Sequence, residues 1–423
     1  MKICVSAHRL AGELSAVSSK SDGHRAVVCA ALCDGVTEIA IGEFSDDIRA
    51  TVDCLSAMGA DIAETERGFI VRSGAKPQLD AMLNCRESGS TLRFLLPVAA
   101  ALGGRKSFCG AGRLPSRPML PLMDALESHN IAFDGKMLPF VSIGKLAGGE
   151  FTVPGNISSQ FISGILLALP LTEEGGRITV TDGLQSSGYV DMTVRTMKHF
   201  GVECEKSERS VYTVKKGSKY VSPGNYRVEG DWSGAAFFLV AAAISGDITV
   251  KGLSPESAQA DRVIIDVLRR FGADVTWQNG AVRVRSAAAR PFSVDVSDCP
   301  DLFPILAVLA CKAKGESRLF NASRLRLKES DRVATTANML RAFGVTVIER
   351  EDSLTVYGNG TVEGGAVNGA GDHRIVMSAA VASLMCGEKG NGSVMITDAE
   401  AISKSYPSFF RDLTACGGRY FAV

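Results

Sequence analysis

Hydrophobic and polar positions along this chain follow a long cycle, in which an amphipathic helix runs into a Gly or Asn and alternating residues then read as a β-hairpin. The stop residues are Gly59, Asn130, Gly201, Gly272, Gly344 and Gly417, separated by 71, 71, 71, 72 and 73 residues. Apolar helix ends precede them, such as Leu55-Ser56-Ala57-Met58, Leu268-Arg269-Arg270-Phe271 and Leu340-Arg341-Ala342-Phe343. Helices commonly end on a residue at positive φ, which Gly adopts without penalty and Asn tolerates, so the Asn of the second copy fits the alignment. Turn pairs at Arg67-Gly68, Asp134-Gly135 and Asn279-Gly280 fall between short alternating segments, as hairpins require. The sixth copy closes the chain.

This period is too long for helical solenoids or propeller blades. Each copy reads instead as a small α/β subdomain, too small to bury a core alone. A chain of 423 residues is expected to form two domains, which gives three copies to each. Lys plus Arg and Asp plus Glu number 46 each, so net charge points to neither nucleic acid nor membrane. The first residues, Met1-Lys2-Ile3-Cys4-Val5-Ser6-Ala7-His8, alternate like a strand without a signal-peptide core, and a cytoplasmic protein is expected. The longest apolar stretches, 94–102 and 235–244, are too short to span a bilayer. The eleven cysteines form no Cys-x-x-Cys pair, and Cys29 and Cys33 read as buried small hydrophobes rather than metal ligands.

Polar residues beyond what such a fold needs gather where loops enter apolar helices: 18–25, 87–93, 156–160, 299–301, 327–332, 371–374 and, opening the last helix, 403–407. Ser, Thr and Asp there have a ready role as helix caps. Capping does not account for Lys20, Arg25, Arg117, Lys328, Arg332, Arg374 and Lys404, because a cation at a helix N-terminus is unfavourable. An anionic ligand reverses that cost, since free amides, helix dipole and basic side chains all act on phosphate or carboxylate. Cations from the two halves, such as Arg117 from one and Arg332, Arg374 and Lys404 from the other, are expected to repel one another until an anion lies between them. No Walker or dinucleotide-binding glycine motif occurs. His373 reads equally as an acid-base group or a structural residue; Glu329 as a proton carrier or the ion-pair partner of Arg332; Asp301 as a base or a dipole-compensating carboxylate. Two carboxylates and a histidine among so many anion-binding groups suit proton transfer on a multiply anionic substrate.

The segments Ser19-Lys20-Ser21 with Arg25, Glu87-Ser88-Gly89-Ser90-Thr91-Leu92-Arg93, Arg117-Pro118, Ser158-Ser159-Gln160-Phe161, Lys328-Glu329-Ser330-Asp331-Arg332, Gly371-Asp372-His373-Arg374 and Lys404-Ser405-Tyr406-Pro407 together resemble the 5-enolpyruvylshikimate-3-phosphate synthase family. The resemblance runs from Lys20 to Lys404. It implies an α/β fold, a two-domain inside-out α/β barrel of six βαβαββ-type units, three per domain with pseudo-threefold symmetry. The domains would be 1–19 plus 232–423 and 20–231, with the active site in the cleft between them, closing on ligand by hinges near Ser18-Ser19-Lys20 and Asp231-Trp232-Ser233. The implied reaction is transfer of the enolpyruvyl group of phosphoenolpyruvate to the 5-hydroxyl of shikimate 3-phosphate, by addition and elimination, in the shikimate pathway. It uses no metal or organic cofactor, and the enzyme would be a monomer.

Carried over by position, Ser21, Arg25, Ser158, Ser159, Gln160, Ser186, Asp301 and Lys328 would hold shikimate 3-phosphate. Lys20, Gly89, Arg117, Arg332, Arg374 and Lys404 would hold phosphoenolpyruvate. Asp301 would be the base on the 5-hydroxyl, Glu329 the proton donor to the methylene carbon, and Lys20 and Lys404 would stabilise the departing phosphate with His373 in support. Tyr189 falls in a substrate-binding segment. The first loop lacks the usual Pro-Gly before Ser-Lys and Ser-Asn before Arg; Glu87, Ser88 and Arg324 also depart from the commoner pattern. Two rivals stand beside this reading. A sister transferase acting on UDP-N-acetylglucosamine usually carries a Cys shortly before Arg-Pro, but Arg113-Leu114-Pro115-Ser116 precedes Arg117 here and Cys109 is too far back. A non-catalytic anion-binding protein of the same fold would have no reason to keep Asp301, Glu329 and both lysines.

Overall fold

The computed structural model describes residues 1–7, 9–72, 77–207, 210–387 and 392–423; His8, counted above in the N-terminal strand, lies outside them. The chain divides into two compact units, a central one of Ser18–Val228 and a terminal one of Met1–Val17 with Glu229–Val423. The central unit contains helices α1 (Lys20–Ala31), α2 (Asp46–Ala57), α3 (Gly89–Leu102), α4 (Leu120–Glu127), α5 (Ser159–Ala168) and α6 (Ser187–His199). The terminal unit contains α7 (Trp232–Ser245), α8 (Ile264–Phe271), α9 (Phe303–Lys312), α10 (Arg332–Ala342), α11 (His373–Ala382) and α12 (Phe409–Ala415).

Among the described residues six four-stranded sheets, three in each unit, share one order: two parallel strands, then two antiparallel ones. In the sheet around α3, Asp80–Asn84 runs parallel to Gly104–Cys109, which pairs with Phe140–Gly144 and through it with Ile131–Phe133. Three sheets borrow a strand from far along the chain. Asn225–Arg227 lies parallel to Val36–Ala40, and Leu10–Ser15 lies parallel to Gly246–Lys251, so each unit is completed by the segment that leaves or enters it. Among the described residues the last copy has no hairpin of its own. Its final strand, Arg419–Ala422, pairs instead with Ile3–Ser6, and the two ends of the chain close one sheet.

All six stop residues have positive φ, from 70° at Asn130 to 104° at Gly272. Asn279 and Gly280, with φ of 52° and 73°, make the two-residue hairpin turn expected of such a pair. Arg67-Gly68 is displaced by one: the turn is Glu66-Arg67, and Gly68 opens the next strand.

Each unit has its own apolar core. Helices α5 and α7 are apolar on almost every side and are buried almost throughout, which is why no polar stripe marks them in the sequence. At Gly164 of α5 a Cβ would stand 2.1 Å from the carbonyl oxygen of Arg93 in α3, so these two helices touch backbone to backbone. No helix among the described residues is long and apolar enough to cross a membrane. The eleven cysteines are free thiols; Cys29 and Cys33 are buried, and the Cys33 thiol donates to the Cys29 carbonyl at 3.2 Å.

Candidate active site

The buried helices begin on side-chain caps. Ser19, Ser88 and Ser158 accept from amides of α1, α3 and α5, and Asp231 and Asp372 from amides of α7 and α11. Helix α9 begins instead at Phe303 with Pro304 as its second residue, after a 3-10 turn at Pro300–Leu302. The capping account of the Ser and Asp residues is therefore correct at these positions, and the remaining polar groups stand beside them.

In the terminal unit the centre is Arg332, first residue of α10 and 1% exposed. Its Nη1 donates to Asp301 Oδ1 at 2.7 Å, its Nη2 to Glu329 Oε2 at 2.7 Å, and its Nε to Asp372 Oδ2 at 2.8 Å. Arg374, second residue of α11, donates through Nη2 to Asp301 Oδ2 at 2.9 Å and through Nη1 to the Asp301 carbonyl at 3.1 Å. One guanidinium thus carries both carboxylates singled out in the sequence, and a second holds the other oxygen of Asp301. Burial alone would raise the Asp301 carboxyl, but Arg374, Lys328 and Arg332 outweigh it and hold the group well below the usual carboxylate range. Burial, against the pull of Asp301, brings Lys328 down to about 8. Lys404 Nζ donates to the Gly371 carbonyl at 2.6 Å, next to the cap of α11. His373 is buried at the start of α11, its Nδ1 3.9 Å from Asp372 Oδ1.

In the central unit Arg25 is buried and its contacts are internal: Nε to Thr193 Oγ1 at 2.7 Å, Nη1 to the Ser21 carbonyl at 2.6 Å, Nη2 to the Tyr189 carbonyl at 2.9 Å. The Tyr189 amide donates to the Ser186 carbonyl, and Ser186 sits in the left-handed region at φ 56° before α6. Gln160 is held on both sides, accepting from Arg93 Nη1 and donating to Ser90 Oγ, each at 2.8 Å, with Ser158 and Ser159 in the same turn. Arg93 also donates to the Pro118 carbonyl, which ties the Arg117-Pro118 segment to α3. Lys20 Nζ pairs with Asp47 Oδ2 at 2.8 Å.

Several sequence expectations change. Lys404 does not open the last helix: it ends a 3-10 turn, Ala399–Lys404, and α12 starts at Phe409. Arg25 lies in the second turn of α1, while Arg117 and Lys328 precede α4 and α10 rather than standing in their first turns. The expected repulsion among cations is also wrong for Arg332 and Arg374, because Asp301, Glu329 and Asp372 already neutralise them; Lys20 likewise pairs with Asp47. Asp47 was not visible as a partner, since an acidic residue in a first helical turn is ordinary dipole compensation. Arg93 was quoted only as part of a motif; its hold on Gln160 needs α3 and α5 to be packed. Asp261 gave no sequence signal at all. Burial and the nearby Asp301 push it up to about 7, and Ser233 donates a hydrogen bond to it.

The family described as EPSP synthase (3-phosphoshikimate 1-carboxyvinyltransferase) matches residues 5–413. The chain belongs to the EPSP synthase family. The 3-phosphoshikimate 1-carboxyvinyltransferase of Clostridium beijerinckii is 39% identical over 422 residues, covering 97% of this chain and 96% of that protein. The enzyme of the same name from Methanocorpusculum labreanum is 39% identical over 422 residues, covering 99% of each. The solved EPSP synthase of Acinetobacter baumannii is alike in fold, with a TM-score of 0.83, 24% identity and 99% of each chain covered.

Two departures from the commoner EPSP synthase pattern have structural partners here. Glu87 lies against Gly112, where a Cβ would stand 2.5 Å from its Cδ, so the longer acidic side chain is accommodated by a glycine at φ 57°. Arg324 donates through Nη2 to the Ser297 carbonyl at 2.8 Å, bracing the loop that leads to Asp301.

Proposed function

We propose that this chain transfers the enolpyruvyl group of phosphoenolpyruvate to the 5-hydroxyl of shikimate 3-phosphate and releases phosphate. The observation that carries the reading is the placement of Asp301 and Glu329 on one buried guanidinium, that of Arg332. Asp301, held ionised, takes the proton of the 5-hydroxyl as its oxygen adds to C2 of phosphoenolpyruvate, and Glu329 delivers a proton to the methylene carbon. The resulting tetrahedral intermediate returns that proton and expels phosphate, whose charge Lys20 and Lys404 balance. Glu329 pairs with Arg332 in the absence of substrate and must carry a proton to serve as an acid, so exclusion of water from the site is part of this reading.

In this proposal Ser21, Arg25, Ser158, Ser159, Gln160, Ser186 and Lys328 hold shikimate 3-phosphate; Gly89, Arg117, Arg332 and Arg374 hold phosphoenolpyruvate; and His373 has a supporting role. The two sets of residues serve one reaction only if both face the same substrates, which argues for closure of the two units on ligand. Small-angle scattering should then give a smaller radius of gyration with shikimate 3-phosphate and a phosphoenolpyruvate mimic; an unchanged radius with binding confirmed by calorimetry rules closure out. The same reading makes the protein a cytoplasmic monomer that binds no nucleic acid or membrane. Phosphate release from phosphoenolpyruvate tests the activity itself. Release with shikimate 3-phosphate and none with UDP-N-acetylglucosamine is expected; the reverse selects the sister reaction, and none with either means an anion-binding protein.

A further inference from the structure

His24 lies one turn after Lys20 on α1 and is fully buried. Its Nδ1 is 2.7 Å from Thr51 Oγ1 on α2; Thr51 Oγ1 is 2.7 Å from Thr91 Oγ1 on α3; and the Thr91 hydroxyl is 2.8 Å from Ser88 Oγ. Ser88 is the cap of α3, accepting from the Thr91 amide at 3.2 Å, and the next residue, Gly89, faces Arg117. The Thr91 hydroxyl also reaches the Asp47 carbonyl at 3.3 Å, and the Asp47 carboxylate holds Lys20. One chain of hydroxyls therefore ties three helices to the Lys20–Asp47 pair and to the start of α3 beside Arg117.

The other ring nitrogen, Nε2, has no hydrogen-bond partner among the described residues, and the ring stands edge-on to Phe94 at 6.3 Å between centroids. A buried N–H without a partner is rarer than a bare acceptor, which puts the proton on Nδ1. His24 then donates to Thr51, Thr51 to Thr91 and Thr91 to Ser88, a run of bonds with one polarity in which each strengthens the next. Burial, reinforced by the charges of Lys20 and Arg25, keeps the ring neutral and the direction fixed.

We propose that His24 is a positioning residue for the phosphoenolpyruvate site, setting the start of α3 and the Lys20–Asp47 pair through Thr51, Thr91 and Ser88. This rests on the function proposed above. His24→Leu and Thr51→Val keep bulk and break the relay, whereas His24→Asn puts an amide N–H at the place of Nδ1. Phosphate release should show KM for phosphoenolpyruvate up about ten-fold in the first two variants, with kcat and KM for shikimate 3-phosphate within about two-fold, and near-wild-type values for His24→Asn. Calorimetric binding of an unreactive phosphoenolpyruvate mimic in the presence of shikimate 3-phosphate should follow the same order. A packing role alone would shrink the folded fraction, lowering kcat and leaving KM in place. That outcome, or one KM shared by all four proteins, overturns the relay; Thr51→Val supplies the answer if His24→Leu does not fold. A wild type that turns over beside unchanged variants sinks only this proposal, while a wild type that binds neither substrate sinks the function with it.

Discussion

A Cβ at position 89 would stand 2.7 Å from Nη1 of Arg117 and 2.9 Å from its Cζ, so the absence of a side chain at Gly89 leaves the place that the Arg117 guanidinium occupies. Gly89 is the first residue of α3, where alanine is welcome to the backbone, and the obstacle is the movable end of a long side chain. Gly89→Ala should fold normally and act through Arg117. Its KM for phosphoenolpyruvate is expected to rise about ten-fold, as loss of a charge-assisted contact would give, and Arg117→Ala should cost at least as much. In the Arg117→Ala background, Gly89→Ala should add little. Equal effects in both backgrounds would mean that Arg117 is not the reason for the glycine.

Asp301→Asn and Glu329→Gln keep shape and remove a proton carrier. Each should lower kcat by about a thousand-fold or more while shikimate 3-phosphate still binds by calorimetry. Asp301→Asn should also lower the melting temperature, because it leaves two guanidinium groups, one of them 1% exposed, short of a counter-charge. Turnover near that of the wild type would remove the substituted carboxylate from the mechanism.

The alkaline side of the pH profile should belong to Lys328. Burial lowers it from the ordinary 10.5 to about 8, so its charge is lost as pH rises through that value. Between there and 10.5 the unfolded chain binds the extra proton, and stability gains rather than loses as pH climbs. Anion binding does the opposite. kcat/KM for shikimate 3-phosphate is expected to fall above pH ~8, and Lys328→Arg should carry the fall to higher pH because a guanidinium stays charged. A limb that Lys328→Arg leaves in place has another origin.

Asp261 behaves with the contrary sign. Its folded value of about 7 exceeds the ordinary 3.8, so the folded protein holds a proton that the unfolded chain gives up. The stability this contributes is complete below the ordinary value and is lost as pH rises to about 7. Asp261→Asn should therefore look better relative to the wild type at pH ~8 than at pH ~5 in urea titrations, since the amide has no charge to desolvate. A difference that does not change with pH would show that Asp261 is charged in the folded state.

The sequence by itself determined the repeat. Gly59, Gly272 and the other stops are legible because a left-handed backbone position narrows the choice of residue, and that constraint is local. Residues such as Lys20, Glu329 and Arg332 were legible as chemistry because charge at a helix start needs a reason, and their combined motifs pointed to one family. What the sequence left open was who neutralises whom. Beyond Glu329, whose place one turn from Arg332 already suggested a pair, Arg332 gathers Asp301 and Asp372 from 31 and 40 residues away, and Lys20 takes Asp47 from another helix; these pairings depend on how helices pack. The displaced last helix shows the same division: Lys404 is recognisable in sequence, but its bond to the Gly371 carbonyl, 33 residues away, is what holds it. The exchanged strands, Leu10–Ser15 and Asn225–Arg227, were likewise hidden, because a strand's pattern names its buried face and not the sheet it will join.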